Sequence, residues 1–125
     1  MTEKCSTRWS AWRLPDLTFD RYCAIDLGGR VVRLWHCGPG NGAGDALAHV
    51  PDAKITWTGN FISPGMPPMA LIGDPVGYAR TVRAVRAVID TDTLVPGHAF
   101  VGDAEPALSA LVSYLENLAT AVRRG

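Results

Sequence analysis

Apolar positions recur along this chain with two periods, and the change from one to the other divides it. From Arg21 to Thr58 the period is two. "RYCAIDL" and "RVVRLWH" flank Gly28-Gly29, and "ALAHV" and "KITWT" flank Pro51-Asp52-Ala53. Alternating runs joined by short turn-forming sequences predict two β-hairpins. In the second run Val32, Leu34 and His36 share one face, and Val31, Arg33 and Trp35 the other. Cys23, Ile25 and Leu27 oppose Tyr22 and Ala24 in the first, so neither face is strongly polar.

Beyond Gly73 the period becomes helical. Asp74 is an N-cap with Pro75 at the first helical position, and Tyr78, Val82, Val85 and Ile89 fall on one face. Arg80, Arg83 and Arg86 lie off it, as a solvated face or an anion-binding row. A short strand, "TLVP", leads to Gly97-His98. Asp103 then caps a last helix, with Glu105 and Pro106 in its first turn and a buried stripe of Leu108, Leu111, Leu115, Leu118 and Val122. Residues 60–73, "NFISPGMPPMALIG", carry too many prolines and glycines for a regular element and predict a stiff apolar loop. Two hairpins, a helix, a strand and a helix predict an α/β domain over residues 19–125: one mostly antiparallel sheet with two main helices on one side. Residues 1–18 show no period and read as an N-terminal arm, with Trp9 and Trp12 lying against another surface.

Composition narrows the function. The length of 125 residues fits one domain, and 47% apolar residues suffice for a core. Twelve basic and twelve acidic residues cancel, so charge points to neither nucleic acid nor an anionic membrane. No apolar run approaches the ~20 residues that span a bilayer, and the first residues have no apolar signal core. Cys5, Cys23 and Cys37 are an odd set without a C-x-x-C pair, which favours reduced thiols and a cytoplasmic location.

The stretch "TFDRYCAIDLGGRVVRLWHCGPGNGAGDALAHVPDAKITWTGN" resembles the second half of the metallo-β-lactamase fold. There a strand and Gly-Gly turn lead to "G-P-x-H-T-x-G-D", a strand, a "P-E" turn and "T-G-D". "TLVPGHAFVGD" is similar to that family's "V-V-P-G-H-G", and "LSALVSYLENLATAV" to the helix after it. The resemblance runs from about Leu14 to the C-terminus. It implies that Asn41 stands at a zinc-binding histidine, Asn60 at the metal-bridging aspartate and His98 at the last histidine. Asp45, the Asp of "G-D", is kept, while Gly42 and Ala99 replace Thr and Gly. The family's H-x-H-x-D-H string is absent from the chain. Zinc takes about four ligands from Cys, His and carboxylate, and a neutral amide oxygen is a poor substitute. The expectation is therefore no metal and no cofactor.

The resemblance also implies half of a four-layer αββα sandwich, whose sheet would leave one face bare. An apolar face of that size marks an interface, and a two-fold homodimer would rebuild the sandwich from two identical halves. Three functions follow. The first is a metal-independent enzyme at the dimer rim, resembling the branch with polyketide cyclases and thioesterases, that cyclises, isomerises or moves a proton on a small apolar metabolite. His98 would act as general acid or base with Asp45 orienting it or sharing a proton, and Asn41 and Asn60 would hydrogen-bond an enolate or carbonyl oxygen. Trp35, Trp57, Phe61, Met66 and Met69 would wall the pocket, with His36 and Cys37 beside it. The second is a non-catalytic binding or partner protein, in which Asn41 and Asn60 are plain loop residues and His98 a remnant of ancestry. The third is a split metallohydrolase whose partner chain supplies H-x-H-x-D-H. A metal site from His36, Cys37, His49 and His98 matches no known spacing, and His49, in mid-strand, reads as structural.

Overall fold

A computed structural model describes residues 13–68 and 73–124. Cys5, Trp9, Trp12 and Met69 lie outside them. From Arg13 the arm runs without helix or strand, and Leu14 and Leu17 are exposed.

The two expected hairpins form. β1 (Tyr22–Asp26) pairs antiparallel with β2 (Val31–Trp35). Their turn is closed by Leu27 N–H on the Arg30 carbonyl at 2.9 Å, and the Asp26 carboxylate accepts from Gly28 N at 2.8 Å. β3 (Leu47–Val50) and β4 (Ile55–Gly59) pair antiparallel in turn, with Val50 opposite Ile55. β5 (Thr93–Pro96) joins β4 in parallel. A parallel pair needs a crossover, and α1 (Pro75–Val88) supplies it. Asp74 caps α1 by accepting from Gly77 N at 2.8 Å. A short sixth strand, β6 (Gly102–Asp103), pairs antiparallel with β5. The periodicity did not mark it, because two residues carry no period. α2 (Ala104–Arg124) follows at once. The six strands lie in chain order in one mixed sheet, so the chain is α/β as expected.

The registers fix which residues share a face. Trp35 is opposite Leu47, His49 opposite Thr56, and Thr56 beside Leu94. This set faces the helices. Leu47, Thr56, Thr58 and Leu94 are buried there with Tyr78, Val82 and Val85 of α1 and Leu108, Leu111 and Leu115 of α2. Truncating one such core residue, Leu115→Ala, costs about 2–5 kcal/mol. His49 is buried in this layer, 3.0 Å from the Thr56 hydroxyl. Burial lowers its pKa, because the charged imidazolium would lose its water.

Among the described residues no helix lies on the opposite face. Cys23 is registered with Leu34, Ile25 with Val32, Leu34 with Ala48, Ala48 with Trp57, and Trp57 with Val95. Trp57 is 44% exposed there.

Two details of the helices correct the sequence reading. The buried stripe of α2 is Leu108, Leu111, Val112, Leu115 and Ala119, whereas Val122 is 70% exposed. The reason is length: α2 has 21 residues and α1 only 14, so the last turns of α2 outrun the helix they pack on. Arg83 and Arg86 do not form an anion-binding row. They bridge to Glu116 and Glu105 of α2 at exposed positions, where such pairs add at most about 1 kcal/mol.

Candidate functional site

β2, β4 and β5 run in the same direction, and the loops after them gather at one end of the sheet. His36 follows β2, Asn60 follows β4, and His98 follows β5. With strands about 4.8 Å apart, β2 and β5 are separated by about 14 Å, and β4 lies between them. That span is too wide for direct contact between the two ends. The loops that begin at His36 and carry His98 thus flank the one that begins at Asn60.

The Gly-rich loop 36–46 is held by its own chemistry. Gly40 N donates to the Gly42 carbonyl at 3.0 Å. The Asp45 carboxylate accepts from Gly42 N at 2.9 Å, so the loop retains this aspartate as its internal brace. His36 Nδ1 lies 2.8 Å from the Asp45 carbonyl oxygen. A carbonyl can only accept, so Nδ1 carries the hydrogen, and in the neutral ring Nε2 keeps a lone pair. From outside, the Thr81 hydroxyl of α1 donates to the Pro39 carbonyl at 2.7 Å. A Cβ on Gly40 would fall 2.5 Å from the Phe61 ring, so only glycine lets the loop sit on that ring. Phe61 is buried, and its carbonyl accepts from the Tyr78 hydroxyl. Burial, with the charge of Asp45 second, pushes the Tyr78 phenol far above its ordinary value.

Asn41 is buried in the loop and has an interaction partner. Asn60 is exposed, and Gly97 packs so close that an added Cβ would lie 2.9 Å from Asn60 Oδ1. Gly97 N also donates to the Gly59 carbonyl at 2.8 Å, so the two loops are joined. His98 is exposed. Ala99 after it has φ of 73°, a left-handed conformation that favours glycine. Cys37 packs half-buried against the core, and burial pushes its thiol up, away from a reactive thiolate.

The expected pocket walls are not brought together. Trp35 points to the helix face, where it meets Tyr22 at a centroid distance of 4.5 Å. Its indole N–H is buried without a hydrogen-bond partner among the described residues. Trp57 points to the open face. Phe61 is in the core. Met66 lines a groove of about 780 Å³ with Ile62, Pro67, Ala110, Leu111 and Tyr114, against α2. The residues that sequence reasoning missed are Tyr78 and Thr81. Their signal was two hydroxyls on the buried side of a helix, which need partners.

Solved metallo-β-lactamases share this architecture. The enzyme from Pontibacter korlensis is 23% identical with a TM-score of 0.67, over 82% of this chain and 49% of that one. For TMB-1 the values are 20%, 0.68, 82% and 47%. For DIM-1 exposed to ceftazidime they are 18%, 0.68, 79% and 46%. The chain has a half-length metallo-β-lactamase-like fold. It spans about half the length of these solved structures. No family model and no curated protein sequence matches it.

A metallo-β-lactamase-like rim implies zinc, and the donors here do not fit it. Among the described residues no group of three or more His, Cys, Asp or Glu comes together to hold a metal ion. One Asp45 carboxylate oxygen is engaged by Gly42 N, and His36 Nδ1 by a carbonyl. The amide oxygens of Asn41 and Asn60 bring no charge to offset a dication. Among the described residues no helix is long and apolar enough to cross a membrane.

Proposed function

We propose that this metallo-β-lactamase-like half works without a metal, moving a proton on a small apolar, polyketide-like molecule held at the rim between His36 and His98. The observation that carries this reading is the 2.8 Å contact between His36 Nδ1 and the Asp45 carbonyl. It fixes the ring in the tautomer whose Nε2 can accept a proton, and a base of this kind needs a fixed direction as much as a suitable pKa. His36 would take a proton next to a carbonyl. The Asn60 amide would donate to the enolate oxygen. His98, exposed across the rim, would return the proton as general acid. Asp45 acts through the loop and His36, as a positioning residue, and Asn41 serves the loop from within.

The test follows solvent deuterium into the α-position of the N-acetylcysteamine thioester of acetoacetate by NMR. Exchange faster than buffer, lost in His36→Asn and reduced in His98→Ala, supports the reading. Asn at position 36 keeps a donor for the Asp45 carbonyl while removing Nε2. Exchange at the buffer rate, or unchanged in both variants, contradicts it.

A second reading, a non-catalytic binding protein, draws on the burial of Cys37 and Tyr78. Both are pushed up, so neither is an activated nucleophile. A split metallohydrolase would need a partner chain for nearly all its ligands, and zinc binding by this chain alone does not follow from the donors described.

A further inference from the structure

The sheet face turned away from the helices, with Trp57 exposed on it, is a feature that the rim chemistry leaves unused. It runs across five strands through Ile25, Val32, Leu34, Ile55, Trp57 and Val95, and none of its positions on β1 to β5 carries a charge; Asp103, registered with Thr93, lies at its margin on the edge strand β6. We infer that a second copy of this chain covers this face, in a two-fold dimer that packs sheet on sheet. The inference stands on the face alone and is independent of any proton transfer at the rim.

Three observations select a second copy over another occupant. The first is charge. In a two-fold interface residues near the axis meet their own copies, so any central charge would face its like. A face whose centre is free of charge, with Asp103 only at its edge, escapes that penalty. The second is shape. Trp57 stands 44% exposed, and its registered neighbour on β3 is Ala48, a small residue on the same face. A knob beside a hollow is self-complementary: under a two-fold, each Trp57 seats over the partner's Ala48, and the contact occurs twice. The third is area. Five strands about 4.8 Å apart and about 16 Å long give a flat footprint of roughly 400 Å² per copy. Two such faces give roughly 800 Å² of flat footprint, and the relief of side chains such as Trp57 adds accessible area towards the ~1,200 Å² at which specific interfaces begin. Aligned sheets of this kind pack about 10 Å apart with inner side chains interdigitated.

The experiment is the mass in solution, by size-exclusion chromatography with light scattering at micromolar concentration. Wild type is expected at twice the chain mass of 13.4 kDa. Trp57→Arg removes the knob and sets a charge on the apolar face over the partner's Ala48, and is expected at one chain mass with its far-ultraviolet circular dichroism retained. Ala48→Trp fills the hollow and is expected at one chain mass as well, which keeps the test valid should the first variant fold poorly. Val122→Arg, on the exposed end of α2, is expected to stay dimeric. A wild-type mass of one chain overturns the inference, as would happen if the N-terminal arm shielded the face. A dimer left intact by both Trp57→Arg and Ala48→Trp also overturns it.

Discussion

The hydroxyl of Thr81 on α1 donates to the carbonyl of Pro39 at 2.7 Å and ties the Gly-rich loop to the helix layer. With Asp45 on Gly42 N inside the loop and Phe61 under Gly40, it holds the loop by contacts that need no ion. Thr81→Val keeps the shape and removes the donor. The expected loss is about 1 kcal/mol, read as a lower urea midpoint with an unchanged slope.

Tyr78→Phe tests the same support one layer deeper. The Phe61 carbonyl would lose its hydrogen-bond donor within the core. Leaving a buried acceptor unpaired costs about 1–3 kcal/mol, so this variant is expected to lose more stability than Thr81→Val in the same titration.

Ala99 occupies a backbone conformation with φ of 73°. Glycine avoids the contact between Cβ and carbonyl that makes this region costly for other residues. Ala99→Gly is expected to stabilise by about 1 kcal/mol, raising the melting temperature. A lower melting temperature would show that the added freedom of the unfolded chain outweighs the relief.

His49 gives a pH dependence with a defined sign. Its folded pKa is lowered from 6.5 by burial, so the unfolded state binds the proton more tightly. The associated stability is complete above pH 6.5. It falls as pH drops from there towards the folded value, by at most about 1.4 kcal/mol per pH unit. Urea titrations at descending pH should show this slope, and His49→Gln should flatten it. An equal slope in the variant would assign the effect to other groups.

Cys37 is expected to resist alkylation by iodoacetamide in the native state, because burial raises its thiol and screens it. Peptide mapping by mass spectrometry should find it labelled at least tenfold faster in urea.

The hairpins, the Asp74 cap and the crossover helix were readable because each is written in a local pattern: alternation around Gly28-Gly29, Pro75 after Asp74, and helical spacing from Tyr78 to Ile89. The pocket was not. Whether Trp35 and Trp57 share a face depends on the register across β3, where Trp35 meets Leu47 and Trp57 meets Ala48. One residue of register reverses that outcome, and local patterns do not set it. Asp45 was readable as a chemical group, but its bond to Gly42 N depends on how the loop closes on itself. Val122 misled because helical spacing marks a stripe and says nothing of where the neighbouring helix stops.

The Gly-rich loop of this metallo-β-lactamase-like half is held by protein contacts alone, and among the described residues the donors for zinc do not come together. Calorimetric titration of zinc into EDTA-treated protein, with a thermal melt of each sample, tests it most directly. No binding heat is expected at stoichiometric zinc, and the same melting temperature with zinc or EDTA. Stoichiometric tight binding that raises the melting temperature, as any ligand of the native state must, would contradict it.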